Sequence, residues 1–197
     1  MPLVVNEETR RPERATPLEM PERIGLERLV LRKVRAGDAA ALFEAYAGDA
    51  ETCRWLNFKT LSDVEQMTTY LECCVANWKA QRDFVYALVE PEEPADRPFG
   101  LINARIQLST VIFGYAMARS HWSRGYMSLA LRTLVDEVLR QPGIWRAQAD
   151  CAVENPASAR VIEKAGMVLE GRLRRHMISP NVSLEPGDGL LYAKTRD

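Results

Sequence analysis

Six apolar residues at helical spacing, Met127, Ala130, Leu131, Leu134, Val135 and Val138, follow an alternating run from Val111 to Ala118 across one short glycine-containing turn. A period of two that gives way so abruptly to a period of 3.6 describes a strand feeding a helix that packs back on its own sheet. The apolar stripe is wide enough to bury a full helix face, and Gln141-Pro142-Gly143 ends it. At 197 residues the chain suits one domain with a sizeable core.

The other elements follow from the same periodicities. Leu26 to Val34 alternates and reads as one strand. Asp38 can cap a short helix whose inner face is Ala39, Leu42, Phe43 and Tyr46. Ser62-Asp63-Val64-Glu65 reads as a capping box opening a helix with Val64, Met67, Leu71, Cys74 and Trp78 on one side. Phe84 to Val89, Phe99 to Gln107 and Val111 to Ala118 are strands, and Trp145 to Val153 is apolar enough to be central. Asn155-Pro156 opens a further helix that stops at Gly166. Met167 to Ile178 and Gly189 to Lys194 complete the strands, with Ser179 to Asp188 as a loop containing Pro180, Pro186 and Gly187. Hairpins mixed with helical crossovers give an α+β fold with a mixed sheet flanked by helices. Residues 1–24, mostly polar with four prolines, read as an N-terminal extension, either a mobile arm or a segment laid over the domain of residues 25–197.

Composition excludes several classes. A net charge of −1 offers no bulk attraction to nucleic acid or an anionic membrane. No apolar run approaches the roughly 20 residues of a membrane span, and Met1 to Ile24 lacks the apolar stretch of a secretion signal, so a cytoplasmic location is expected. Cys53, Cys73, Cys74 and Cys151 fit neither a zinc spacing nor a usual disulfide framework and are expected as reduced thiols. His121 and His176 lie far apart without a partner motif, and no metal is expected.

The turn before the strong helix carries the chemistry. Free N–H groups at a helix N-terminus and the helix dipole attract an anion. Gly125 permits close backbone approach and Arg124 adds a cation. By itself this is either a phosphate site or an ordinary strand–turn–helix.

Gly114-Tyr115-Ala116-Met117 followed by Trp122-Ser123-Arg124-Gly125-Tyr126-Met127 resembles the pyrophosphate loop of the GNAT superfamily of N-acetyltransferases, Q/R-x-x-G-x-G/A. Trp122 and Met127 depart from it in the manner of the RimJ/RimL branch, the ribosomal-protein-alanine N-acetyltransferase type. Asn155-Pro156-Ala157-Ser158-Ala159-Arg160-Val161-Ile162-Glu163-Lys164-Ala165-Gly166-Met167 is similar to the branch's N-x-x-S-x-x-V-x-x-K-x-G-F, with only Met167 departing. Glu27 to Arg32, Glu170 to Leu173 and Leu190 to Ala193 also match, so the resemblance runs from about residue 25 to the end.

The resemblance implies a GNAT fold with a mostly antiparallel sheet and a splayed central strand pair. It implies acetyl transfer from acetyl-CoA to a primary amine by direct attack in a ternary complex, with the α-amino group of a protein or peptide as acceptor. Pyrophosphate would be held around Trp122, Ser123, Arg124, Gly125, Tyr126, Met127 and Ser128, and pantetheine along Ala116, Met117 and Ala118. A backbone N–H near Met117 would stabilise the oxyanion. The Tyr that many members use to protonate the thiolate is replaced by Ile162, and the branch's Ser, here Ser158, is the substitute. Ser158 could instead bond the helix backbone or the cofactor. Asn155 would bond the pantetheine amide or serve as a plain N-cap.

The base is open among His121, His176, Glu154 and Asp150. The branch's Glu is replaced by Met177, and strand alternation turns the adjacent His176 to the opposite face, as a surface histidine. A covalent role for Cys151 is conceivable, although no base is visible near it. The acceptor pocket is expected between the N-terminal helices and the last hairpin, walled by Trp55, Asn57 and Phe58 with Tyr115 near its floor. A rival acceptor is an antibiotic, polyamine or amino acid, with Glu44, Asp49, Glu51 and Asp63 as an acidic lining. A second rival is a silent acyl-CoA-binding module. The oligomeric state is open between monomer and homodimer.

Overall fold

Phe84 to Val89 is buried at every position, so this strand lies between two packed layers. The computed structural model describes residues 17–92 and 96–196. In chain order the elements are β1 (Arg23–Leu26), β2 (Leu29–Lys33), α1 (Ala39–Leu42), α2 (Ala50–Cys53), α3 (Val64–Lys79), β3 (Asp83–Val89), β4 (Gly100–Gln107), β5 (Thr110–Met117), α4 (Tyr126–Arg140), β6 (Arg146–Ala152), α5 (Pro156–Lys164), β7 (Val168–Ser179) and β8 (Ser183–Thr195). A π turn, Phe43–Ala47, continues α1.

The strands form one eight-stranded sheet in the order β1-β2-β3-β4-β5-β6-β8-β7. On one face Phe84, Tyr86 and Leu88 pack with Leu131, Leu134, Val135 and Val138 of α4 and Ile162 of α5. On the other, Val85, Ala87 and Leu101 meet Leu42, Tyr46, Met67, Leu71 and Cys74 beneath α1 and α3. Every neighbouring pair is antiparallel except β5 and β6. Those two pair in parallel from Thr110–Arg146 to Phe113–Ala149 and then part, although β5 runs on to Met117 and β6 to Ala152.

Four local expectations are corrected. Leu26 to Val34 is a hairpin rather than one strand, because Glu27 and Arg28 turn the chain so that Leu26 pairs with Leu29. Asp38 does not cap α1; its carboxylate accepts from Arg32 and from the Arg35 N–H. The cap of α3 is Asp63, which accepts from the Gln66 N–H, while Gln66 Oε1 accepts from the Ser62 N–H. Ser183 to Asp188 is strand, paired to β7 alone beyond the end of β6, where Pro186 interrupts no second ladder.

Of the N-terminal extension, residues 1–16 lie outside the described residues. Leu18 and Met20 are buried in the α4-side core, and Gln81 and Gln141 bond the backbone of Leu18 and Glu19.

Arg32 is 3% exposed and meets Asp38 through two bonds of 2.8 Å. Its Nε lies 2.8 Å from Asp96 Oδ2 without hydrogen-bond alignment. Breaking a buried pair by removing one partner costs about 3–5 kcal/mol. Asp38→Ala is expected near the low end, about 3 kcal/mol, because Asp96 stays beside the cation. A lower denaturant midpoint at unchanged slope checks it.

Candidate active site

The parting of β5 and β6 creates the site, and ladder geometry decides which backbone groups enter it. The Ala118 N–H bonds Phe99 O at 2.8 Å. Antiparallel pairs alternate, so Leu101–Ala116 is again a bonded pair, while Gly100–Met117 and Ile102–Tyr115 fall between. The N–H groups of Met117 and Tyr115 therefore point away from β4, along the edge that β6 has left. The Met117 carbonyl on that edge accepts from Trp122 Nε1 at 2.8 Å. Ala118 O takes the His121 N–H at 3.0 Å. Of the residues expected along pantetheine, Ala116 and Ala118 have their polar backbone groups engaged within the protein, and Tyr115 joins Met117 on the open edge.

At the outer end of β5 the chain takes two left-handed residues, Ser123 at φ 59° and Gly125 at φ 80°. The first ladder bond of α4 is Leu129 N–H to Gly125 O, so the N–H groups of Tyr126, Met127 and Ser128 lie outside the ladder. A Cβ on Gly125 would meet nothing within 4 Å, so the space over this end of the helix is open. The side chains of Tyr126 and Met127 are buried, and Tyr126 donates to Glu90 at 2.9 Å; both offer only backbone here. Arg28, absent from the expected set, donates to Arg124 O and stacks over the Tyr126 ring at 5.4 Å. Its only sequence signal is its place in the Glu27–Arg32 match. Two arginines thus flank a 15-residue helix N-terminus on a left-handed turn, a fit for a diphosphate.

On the α5 face, Asn155 Oδ1 accepts from the Ser158 N–H at 3.2 Å, which makes it the N-cap. Ser158 Oγ lies 2.7 Å from the Tyr115 hydroxyl, which also lies 3.2 Å from Ser158 O. Tyr115 was expected at the acceptor floor. Alternation along β5 turns it to the α5 face instead, opposite Ala116 and the α1–α3 layer. Burial pushes its pKa well above the ordinary value, with the Ser158 bond opposing, so the phenol is neutral. Burial also pushes the Cys151 thiol up to about 11, against a bond to Ser158. Ile162 is fully buried in the core.

On the opposite face, the loop after α2 carries Trp55, Asn57 and Phe58. Asn181, in the β7–β8 turn, donates to Cys53 O at 2.7 Å and Phe58 O at 2.8 Å and accepts from the Thr60 N–H at 2.9 Å. This strap ties the hairpin to the loop; the sequence hid it in an expected loop. The four candidate bases fall in three places. His121 stacks on Phe99 at 4.0 Å beside a cavity of about 450 Å³ lined by Glu44, Glu90 and Arg97, and burial lowers its pKa. Glu154 is exposed in the turn before α5. Asp150 and His176 meet, with Nε2 2.9 Å from Oδ2. His176 is exposed, as expected of a surface histidine, yet β7 is bulged between Leu173 and Met177, which breaks the alternation and lets the ring reach Asp150.

The acidic lining expected for a cationic acceptor is largely engaged. Glu44 is ion-paired with Arg97, Asp49 caps α2 and Asp63 caps α3, while Glu51 is exposed on α2. Among the described residues no group of three or more His, Cys, Asp or Glu could hold a metal ion, and no helix is long and apolar enough to cross a membrane. Cys53, Cys74 and Cys151 are buried free thiols and Cys73 is an exposed one.

The sequence profile of the acetyltransferase (GNAT) domain matches residues 28–168. The chain is 28% identical over 159 residues to the uncharacterized N-acetyltransferase p20 of Bacillus licheniformis, covering 78% of this chain and 86% of that one. Its fold is similar to that of the microcin C7 self-immunity acetyltransferase MccE, solved with acetyl-CoA and AMP, at TM-score 0.80 and 16% identity, covering 90% and 98% of the two chains. It is similar also to RimL, a ribosomal L7/L12 alpha-N-protein acetyltransferase solved with coenzyme A, at 0.79 and 20%, covering 89% and 99%. Mycobacterium smegmatis RimJ matches at 0.73 and 23%, covering 85% and 81%. The chain therefore belongs to the GNAT acetyltransferase family. It is an acetyl-CoA-dependent N-acetyltransferase of RimJ/RimL-like architecture.

Two outcomes follow from this geometry. Gly125→Asp is expected to fold yet lose the rise in melting temperature that millimolar CoA gives the wild type, because a carboxylate there repels the diphosphate. A retained shift removes Gly125 from the site. Cys151, protonated at pH 7 by its raised pKa, is expected to react with a thiol reagent far more slowly than exposed Cys73. Mass mapping of the first modified cysteine decides this.

Proposed function

We infer that the enzyme acetylates the α-amino group of a protein or peptide, by direct attack on acetyl-CoA in a ternary complex. The carrying observation is the charge balance on the acceptor face. A polyamine or cationic antibiotic favours uncompensated carboxylates, whereas Glu44, Asp49 and Asp63 are already held by Arg97 or by helix N-termini. RimL is named for α-N-protein acetylation and MccE for microcin C7 self-immunity; at 20% and 16% identity both likenesses are of fold.

The N–H groups of Tyr126, Met127 and Ser128, with Ser123, Gly125, Arg124 and Arg28 around them, hold the pyrophosphate. Trp122 pins this loop to the strand end through Met117 O. Pantetheine lies along the open edge of β5, with Asn155 beside it. The N–H groups of Met117 and Tyr115 are the donors available to the oxyanion. Ser158 protonates the leaving sulfur and regains its proton from water, and Tyr115, 2.7 Å away, holds the serine hydroxyl in place by a hydrogen bond. A thiol of pKa about 8.5 is already a fair leaving group, so the help is modest.

Ser158→Ala is expected to lower kcat about 10- to 100-fold, the low end for general acid catalysis, with the KM for acetyl-CoA unchanged. Tyr115→Phe is expected to move kcat in the same direction by less. Thiol release, measured on Ser- and Ala-initiated peptides beside polyamines and aminoglycosides, checks both the roles and the acceptor. A polyamine with a higher kcat/KM than every peptide would sink the acceptor assignment.

A further inference from the structure

An ammonium group has no lone pair, so an acceptor amine has to lose a proton before it can attack a thioester. Asp150 is the first residue of β6 beyond Ala149, the last to pair with β5, at Phe113. Alternation places it on the face opposite Ala149 and Cys151, and so opposite α5 and Ser158. His176 reaches it from β7 across the intervening strand β8. Gly189 of β8 lies beneath the ring, and a Cβ there would stand 2.9 Å from His176 Cδ2. The bulge that delivers the ring is held in place: Arg175 is left-handed at φ 51°, its N–H bonds Asp188 Oδ1 at 3.0 Å, and Asp188 Oδ2 accepts from Arg172 Nε at 2.8 Å. A carboxylate on Nε2 keeps the proton on that nitrogen and leaves Nδ1 as the acceptor; among the described residues no donor is bonded to Nδ1.

We propose that His176 is the general base of the reaction and Asp150 its positioning residue. This rests on the acetyl-transfer reading above. Nδ1 takes one proton from the acceptor ammonium, and the freed nitrogen pair forms the C–N bond to the thioester carbon. As the intermediate collapses, nitrogen gives its second proton to water and the C–S pair leaves on sulfur, which takes a proton from Ser158 on the other face while Ser158 regains one from water. The imidazolium, paired with Asp150, returns its proton to water at its half-exposed edge. The sum is one amide, one thiol and one proton. The charged groups around the dyad are Asp150 on β6, Arg172, Arg174 and Arg175 on β7, and Glu185 and Asp188 on β8; Arg172 and Arg175 are paired with the last two. An α-amino group gives up its proton more readily than a lysine amine.

The test compares His176→Gln and Asp150→Asn with the wild type on a Ser- or Ala-initiated peptide and on hydroxylamine, which is neutral at pH 7 and needs no base. His176→Gln is expected to slow the peptide reaction about 100-fold more than the hydroxylamine reaction, to abolish the acid limb of the peptide pH–rate profile and to leave the acetyl-CoA KM unchanged. Asp150→Asn is expected to give a smaller loss and a displaced limb. Equal effects on both nucleophiles, or a preserved limb in His176→Gln, overturn the assignment. A wild type that serves hydroxylamine but no peptide refutes the acceptor class and leaves the dyad to be judged on acceptor-free hydrolysis, where water needs the same base. Equal hydrolysis by wild type and His176→Gln then overturns it.

Discussion

Everything at this site depends on two parallel strands that stop pairing. β5 and β6 share a ladder as far as Phe113 and Ala149, and each continues beyond it. Unpaired strand edges are costly when buried, so a fold that keeps one open holds N–H groups in reserve for a ligand. The layers on both faces keep the strands apart. α4 and α5 cover one side, α1 and α3 the other, and each layer has its own apolar cluster.

The split also sorts the chemistry. Because β-strand side chains alternate, consecutive residues of one strand serve opposite faces. Cys151 and Tyr115 look toward Ser158, while Asp150 looks toward the helices that flank the acceptor. In the proposed reaction, proton donation to sulfur and proton removal from nitrogen fall on different sides of one carbon. Neutral phenol, serine and thiol occupy the drier side, and the ionisable pair sits on the wetter one.

The sequence makes the scaffold legible where periodicity is strong. The α4 stripe, the cap at Asn155 and the left-handed Gly166 all follow from residue type at fixed offsets. It fails where tertiary context overrides a local signal. The Ser62 box loses by one residue to Asp63, a competing cap with equal propensity. Pro186 and Gly187 read as loop, yet an outer arm with a single partner strand tolerates them. Tyr115 sits on an unbroken alternation, yet only the packing of α5 against that face brings its hydroxyl to Ser158. The meeting of His176 with Asp150 depends on a bulge that no residue type announces.

Gly189 shows what such a bulge demands of its neighbours. In the middle of a strand glycine usually weakens the sheet, and here its missing side chain is the footprint on which an imidazole rests. Even alanine would set a methyl against His176 Cδ2 at 2.9 Å and Met177 Cγ at 3.0 Å. The reach from β7 to Asp150 is thus written in a residue with no functional group. A survey of reactive side chains passes over it, although an added methyl there would evict the ring while leaving every reactive atom in the chain intact.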